Sequence, residues 1–273
     1  LQWTAPPLTM DGRALVDNIP GARRAIALAQ MGQRHMAERE LRRSYYYANH
    51  LSGPALLALA HKLDLPATQL RMAKGVRGDD DRPFDRALFP APSWRPAKGF
   101  AMDRALMFAF MRQESSFNAR AKSPVGARGL MQLMPRTASY MANDRSLRRS
   151  NKSKLYDPEY NLELGQKYIG YLLGDSLVKG DLFHLAVAYN AGPGNLSKWL
   201  RKAKFGDDPL MFVESIPWRE TRLFVERVLT NFWIYRERFS QDSPSLDAVA
   251  SGHWPIYFHL DKATKAVARN ARN

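Results

Sequence analysis

Proline and glycine recur at the edges of short apolar segments along this chain, and none of those segments alternates Val, Ile or Thr with polar residues. A half-buried strand needs that period-two alternation, so its absence points to helices. Gly21, Gly32, Gly53 and Gly75 punctuate the first part. Between them lie Ala22 to Met31, rich in Ala and Leu, and Arg34 to Ala48, with apolar or aromatic Met36, Leu41, Tyr45 and Ala48. Pro54 to Leu63 and Pro66 to Ala73 each open on a proline. Proline suits a first helical turn because the N–H it lacks has no intrahelical acceptor there. The pattern predicts antiparallel helical hairpins of the kind that end an α-solenoid, without a fixed repeat period.

Gly75 to Lys98 changes character. It holds Gly78, aspartates at Asp79, Asp80 and Asp81, and prolines at Pro83, Pro90, Pro92 and Pro96. Proline and charge at this density stop helices. The expected organisation is a helical-hairpin region over 1–83, a Pro-rich connection over 84–99 and a second domain over 100–273. At roughly 100–200 residues per domain, a chain of this length holds two. Phe84, Leu88, Phe89 and Trp94 in the connection call for burial. Beyond Phe100 helices are expected over Asp103 to Ser115, from Asp157-Pro158 to Leu173, over Asp181 to Asn190, Asn195 to Lys202 and Trp218 to Phe239. At most a short hairpin fits between Ala119 and Arg128. The fold class is all-α.

Apolar runs such as Ala55 to Ala60 fall far short of the roughly 18 residues of a membrane span. No signal peptide is recognisable, and a start at Leu1 rather than Met reads as a processed or trimmed product. Cysteine is absent, which excludes disulfides, thiolate catalysis and zinc–thiolate sites. The six histidines (His35, His50, His61, His184, His253, His259) show no ligand spacing beside carboxylates, so neither metal nor cofactor is expected. Lys and Arg number 41 against 26 Asp and Glu, a net charge of +15. The excess is diffuse and favours polyanionic partners: nucleic acid, an anionic membrane surface or an acidic cell-wall polymer. Arg148-Arg149 lacks any nucleic-acid module around it and reads as a solvated loop. The basic tail from Lys262 is expected either to fray or to return across the N-terminal helices.

The helix ending in Met111-Arg112-Gln113-Glu114-Ser115-Ser116 carries the chemistry. Met107, Phe110 and Met111 mark its core-facing stripe, and Glu114, seven after Met107 and four after Phe110, falls on the same stripe. A carboxylate stands where a hydrophobe belongs, in a last turn whose dipole disfavours negative charge. Both effects raise its pKa, as a general acid requires. The alternative is a Glu satisfied by a buried Arg or by backbone amides. Downstream, Ser123-Pro124-Val125-Gly126-Ala127-Arg128-Gly129-Leu130-Met131-Gln132-Leu133-Met134-Pro135 combines tight turns, an uncharged donor–acceptor at Gln132 and adaptable apolar walls at Met131 and Met134. That is a lining for a neutral, hydroxyl-rich ligand with acetamido methyls.

The run from Glu114-Ser115-Ser116-Phe117-Asn118 through Pro135 resembles the catalytic motif of the soluble lytic transglycosylases of the lysozyme-like superfamily. Ala188-Tyr189-Asn190-Ala191-Gly192-Pro193-Gly194, followed by Trp199-Leu200, is similar to that family's tyrosine–asparagine block. Glu214-Ser215-Ile216-Pro217-Trp218-Arg219-Glu220-Thr221-Arg222 is similar to its late block, and Asp157-Pro158 with Asn161 fits the segment between. The resemblance spans about Ala101 to Tyr235. It implies a goose-type lysozyme-like catalytic domain preceded by helices of a superhelical or linker region. It implies cleavage of the β-1,4 bond between N-acetylmuramic acid and N-acetylglucosamine in peptidoglycan, leaving a 1,6-anhydromuramyl end, in the periplasm. Glycan strands would be the partner, with no role for nucleic acid; the N-terminal helices are expected to position glycan, to dock a cell-wall protein or to brace the catalytic domain.

Under the resemblance Glu114 is the single catalytic acid, then base. Ser123, Gln132 and Met134 line the groove. Tyr189 hydrogen-bonds near Glu114, and Asn190 either holds the Tyr189 loop or contacts sugar. Glu220 is a second, non-catalytic carboxylate near the cleft, paired with Arg222, or else a helix N-terminal residue stabilised by the dipole. Where the family often has a tyrosine, this chain has Phe224, which keeps a ring and loses a hydroxyl. Ordinary glycosidases usually use two flanking carboxyls. The nearest enzyme alternative is therefore a goose-type lysozyme-like hydrolase, with Glu220 as the residue to examine; a binding or scaffold protein is the alternative from another class.

Overall fold

The computed structural model describes residues 3–47, 50–202 and 205–261. The basic tail from Lys262 lies outside the described residues. The chain divides into two compact units, Leu1–Ser93 and Trp94–Asn273.

In the first unit, α1 (Met10–Asp17), α2 (Pro20–Gln30), α3 (Arg34–Tyr47), α4 (Gly53–Lys62), α5 (Pro66–Ala73) and a single turn α6 (Asp85–Leu88) follow one another. Helix α1 lies outside the hairpins read from sequence. Thr9 caps it, its Oγ1 accepting from Gly12 N at 3.1 Å. Helices α2 and α3 meet through Ala22, Ala25, Ala37 and Leu41, all fully buried; small side chains let the axes approach. Helix α4 buries Ala55 to Ala60 on every side and is the centre of the unit. The Pro-rich segment is folded rather than extended. Gln69 Nε2 on α5 donates to the carbonyls of Arg86 and Ala87 at 3.1 and 3.3 Å. Ala87 and Phe89 are buried, and Phe84 and Leu88 pack on the same core. Residues 84–93 thus belong to the first unit, because their apolar side chains find burial there.

The second unit holds α7 (Arg104–Ser115), α8 (Pro135–Ala142), α9 (Pro158–Leu173), α10 (Leu182–Ala191), α11 (Pro193–Lys202), α12 (Pro209–Ser215), α13 (Arg219–Arg238) and α14 (Pro244–Ala250). Aspartates cap three of them. Asp157 Oδ1 accepts from Tyr160 N, Asp181 Oδ1 from His184 N, and Asp208 Oδ1 from the Leu210 and Met211 amides, all at 2.7–3.0 Å. Between Ala119 and Arg128 the expected hairpin reduces to isolated antiparallel bridges, Lys122 with Arg128 and Arg128 with Leu133.

Helix α7 packs along α13, which buries Phe224, Val225, Val228, Leu229, Phe232 and Tyr235 at three- and four-residue spacing. At the far end a buried ion pair closes the unit. Arg236 Nη2 donates to Asp103 Oδ2 at 2.7 Å and to the Phe258 carbonyl at 2.5 Å. Asp103 Oδ1 accepts from Asp261 N at 2.7 Å. The start of α7, the end of α13 and the segment after α14 are therefore tied at one point. Removing one partner strands the other charge without water. Asp103→Ala is expected to lower the unfolding free energy of the second unit by about 3–5 kcal/mol; denaturant unfolding followed by near-UV circular dichroism measures it.

Candidate active site

Helix α7 positions Glu114. Residues Ala105 to Met111 are all buried, so the helix runs through the core and its last turn emerges with Glu114 only partly exposed. Ser116 and Phe117 then turn the chain away at φ 49° and 64°. Phe117 is fully buried and anchors the turn. Arg112, the nearby cation that might have satisfied Glu114, donates instead to Asn231 Oδ1 on α13 at 2.9 Å. Burial first, and the Glu220 charge second, push the Glu114 carboxyl up to about 8. The side chain is a proton donor at neutral pH.

Three rings surround Tyr189, which lies near enough to Glu114 for its charge to be felt. Tyr189 on α10 lies 4.6 Å from the Phe110 ring, 5.2 Å from Tyr168 and 6.4 Å from Phe224, to which it is stacked at 8°. Burial holds the Tyr189 hydroxyl well above its ordinary range, and the Glu114 charge adds to this. The hydroxyl donates to the Met131 carbonyl at 2.6 Å. Its proton is thus spent on the loop before Gln132, and only its lone pairs face other partners. Phe224 supplies the ring that the sequence comparison kept.

The loop between α7 and α8 is braced from within. Asn161, fully buried on α9, accepts from Met131 N at 2.8 Å and donates to the Arg128 and Leu155 carbonyls at 3.1 and 2.8 Å. Gly129, at φ 76°, sits so close to Asn161 and the Leu155 carbonyl that a Cβ there has no room. Gly165 lets α9 pass under the same loop; a Cβ would come within 2.6 Å of Met131 Cγ. Gln132 takes φ 44°, and its Nε2 donates to the Ala121 and Gly129 carbonyls at 3.2 and 2.9 Å. Its amide nitrogen staples the loop. Ser123 Oγ accepts from Ala127 N at 3.0 Å and keeps its proton for donation. Met134 precedes α8 and is 39% exposed.

On the opposite wall, Asn190 Oδ1 accepts from Thr221 Oγ1 at 2.7 Å, joining α10 to α13. Glu220 is exposed in the first turn of α13. Arg222 does not pair with it. Arg222 Nη1 donates to the Glu214 carbonyl at 3.0 Å and lies 3.8 Å from the Glu214 carboxylate, because the turn at Ile216 brings α12 back beside α13. Sequence reasoning read Phe110 only as part of the core-facing stripe, passed over Tyr168, and gave Thr221 and Asn161 no individual role. Only Asn161 left a signal, a polar residue within an otherwise apolar helix face.

Residues 93–212 match the family model described as Transglycosylase SLT domain. The chain is 40% identical over 153 residues to the soluble lytic murein transglycosylase of Escherichia coli K12, covering 56% of this chain and 23% of that protein. It thus spans about a quarter of that relative's length. The crystal structure of the 70 kDa soluble lytic transglycosylase of Escherichia coli superposes with a TM-score of 0.72 at 26% identity, over 88% of this chain and 39% of that one. An inactive mutant of the lytic transglycosylase Slt of Pseudomonas aeruginosa gives 0.67 at 28% identity, over 89% and 39%. The fold is all-helical and lysozyme-like.

The electrostatics give a direct expectation. Glu114 is protonated below about pH 8 and ionised above it. Glu220→Gln removes the like charge but not the burial, so the Glu114 midpoint should fall while staying above the ordinary value of a glutamate. Carbon-13 NMR of the Glu114 carboxyl against pH reads the shift; an unchanged or raised midpoint contradicts the assignment.

Proposed function

We propose that this chain, whose residues 93–212 match the Transglycosylase SLT domain model, is a soluble lytic transglycosylase that cleaves the β-1,4 bond between N-acetylmuramic acid and N-acetylglucosamine in peptidoglycan. The observation that carries the reading is Glu114, a carboxyl without a cationic partner among the described residues, kept protonated by burial at the end of a core helix. Protonated Glu114 donates to the glycosidic oxygen as the C1–O bond breaks. The resulting carboxylate then takes the proton of the C6 hydroxyl, whose oxygen closes on C1. The product is a 1,6-anhydro ring, Glu114 returns to its starting state and no water is consumed. One carboxyl whose pKa lies near working pH serves both directions of transfer. The muramyl acetamido group, as in substrate-assisted glycosidases, can supply the nucleophile that a second carboxyl provides elsewhere.

Ser123, Gln132 and Met134 would present a hydroxyl, an amide oxygen and an apolar surface to the sugars. Tyr189 would hold the Glu114 carboxyl against its ring, and Asn190 would keep α10 and α13 in register. The net charge of +15 favours an acidic polymer, an attraction that salt weakens. No described helix is long and apolar enough to cross a membrane. The relatives named murein transglycosylases act on cell wall, which supports work in the periplasm, with cell-wall proteins docking on the N-terminal helices.

Mass spectrometry of soluble products from purified peptidoglycan tests the reading. Unmutated protein should release muropeptides one water lighter than lysozyme products. Glu114→Gln should slow release by at least ~100-fold while sacculus binding persists. Reducing-end products would instead assign hydrolysis, with Glu220 as the candidate for activating water. Binding without products from either protein would leave a scaffold.

A further inference from the structure

Two tyrosines stand exposed side by side on the surface of the Trp94–Asn273 unit, outside the groups that the proposed reaction uses. Tyr140 on α8 is 66% exposed and Tyr171 on α9 is 50% exposed. Their rings meet edge to face, 5.9 Å apart at 77°. Helix α8 turns Ala138 and Ser139 into the core and packs on α9, whose Ile169 and Leu172 are buried. The helices beneath hold the two rings in place while their outer surfaces stay in water. Neither hydroxyl has a hydrogen-bond partner among the described residues. An aromatic pair left in water with polar hydroxyls at its rim is the kind of patch that marks a binding surface.

The pair is joined to the Glu114 site at both ends. Tyr171 lies one turn beyond Tyr168 on α9. The Tyr168 ring rests on Tyr189 at 5.2 Å. Burial first, and the nearness of Tyr171 second, raise the Tyr168 hydroxyl above its ordinary range. On the other side, α8 starts directly after Met134, the apolar residue of the proposed groove, and Tyr140 stands in its second turn. A row of rings, Tyr189, Tyr168, Tyr171 and Tyr140, therefore leads outward from the neighbourhood of the acid to the surface of α8. A glycan chain has the chemistry to lie on such a surface. One face of a pyranose ring is made of C–H bonds, which suits the negative face of an aromatic ring, and the hydroxyls at its edge can meet those of the tyrosines.

We propose that Tyr140 and Tyr171 form a distal subsite of the glycan groove, on which a sugar ring of the strand stacks beyond Met134. The inference rests on the glycan reading of the Glu114 cleft and adds to it a preference for strands long enough to reach α9. Contacts so far from the reacting bond are the same in the ground state and the transition state, so the subsite acts on KM rather than on kcat.

The test compares steady-state cleavage of two soluble peptidoglycan substrates by the full chain: long strands, and the shortest fragment that the unmutated protein cleaves. Tyr140→Ala and Tyr171→Ala, at exposed positions, should each raise KM for the long strands by at least ~3-fold with kcat unchanged. Both constants for the short fragment should stay as they are. Tyr140→Phe and Tyr171→Phe keep the rings and should return KM to within about twofold of the unmutated value. Unchanged circular dichroism establishes that each variant is folded. An unchanged KM for long strands in both alanine variants, an equal loss on long and short substrates, or no rescue by phenylalanine would overturn the subsite and leave the glycan reading in place. Failure of the unmutated chain to cleave either substrate would overturn the glycan reading, and the subsite with it.

Discussion

Burial of α7 on every side is the constraint from which the site follows. A helix that is apolar around its circumference has no solvent face, so other helices must enclose it. Helix α13 does so with its Phe, Val and Leu stripe, and α10 packs on α13 in turn. The enclosure ends where Arg112 finds Asn231, and Glu114 is left at the rim with no cationic partner among the described residues. Its raised pKa is a consequence of packing: the core that stabilises the unit also removes the water that would have ionised the carboxyl. Charge repulsion from Glu220 is the smaller addition.

The glycine-rich loop illustrates a different economy. Loops of its length hold a defined shape only when their backbone groups are satisfied. Here one amide side chain, Asn161, satisfies two of them from beneath and ties them to the Leu155 carbonyl, and Gln132 satisfies two more from within. The Tyr189 hydroxyl takes the Met131 carbonyl. The two walls of the site are consequently linked: Tyr189 touches Phe110 on the α7 side and the loop through its hydroxyl, and Asn190, its neighbour, ties α10 to α13. Ser123, Gln132 and Met134 are presented by a scaffold in which each supporting group has a second role.

Much of this was legible in the residues. Prolines at the first turns and aspartate caps located most helices, since capping is local and needs only neighbouring backbone. The place of Glu114 on an apolar stripe was legible because helical periodicity fixes which residues share a face. Less legible were partners distant in sequence. Arg222 is near Glu220 along the chain yet reaches Glu214, because the turn between α12 and α13 folds back. Helix α1 escaped notice for want of a strong apolar stripe, with only Gly12 and Val16 buried. The Pro-rich segment read as a connection, although its first ten residues complete a core.

The sequence by itself determined that the chain is helical, where the longer helices begin, and that one carboxylate stands among hydrophobes beside a glycine-rich loop. These are properties of local geometry and period. Tertiary structure alone decided that Arg112 bonds to Asn231, that Glu220 comes near enough to Glu114 for its charge to be felt, and that Asn161 is the brace of the loop. Each depends on which helices lie side by side, and that is set by the summed burial of many apolar side chains, a quantity that no short stretch of residues contains.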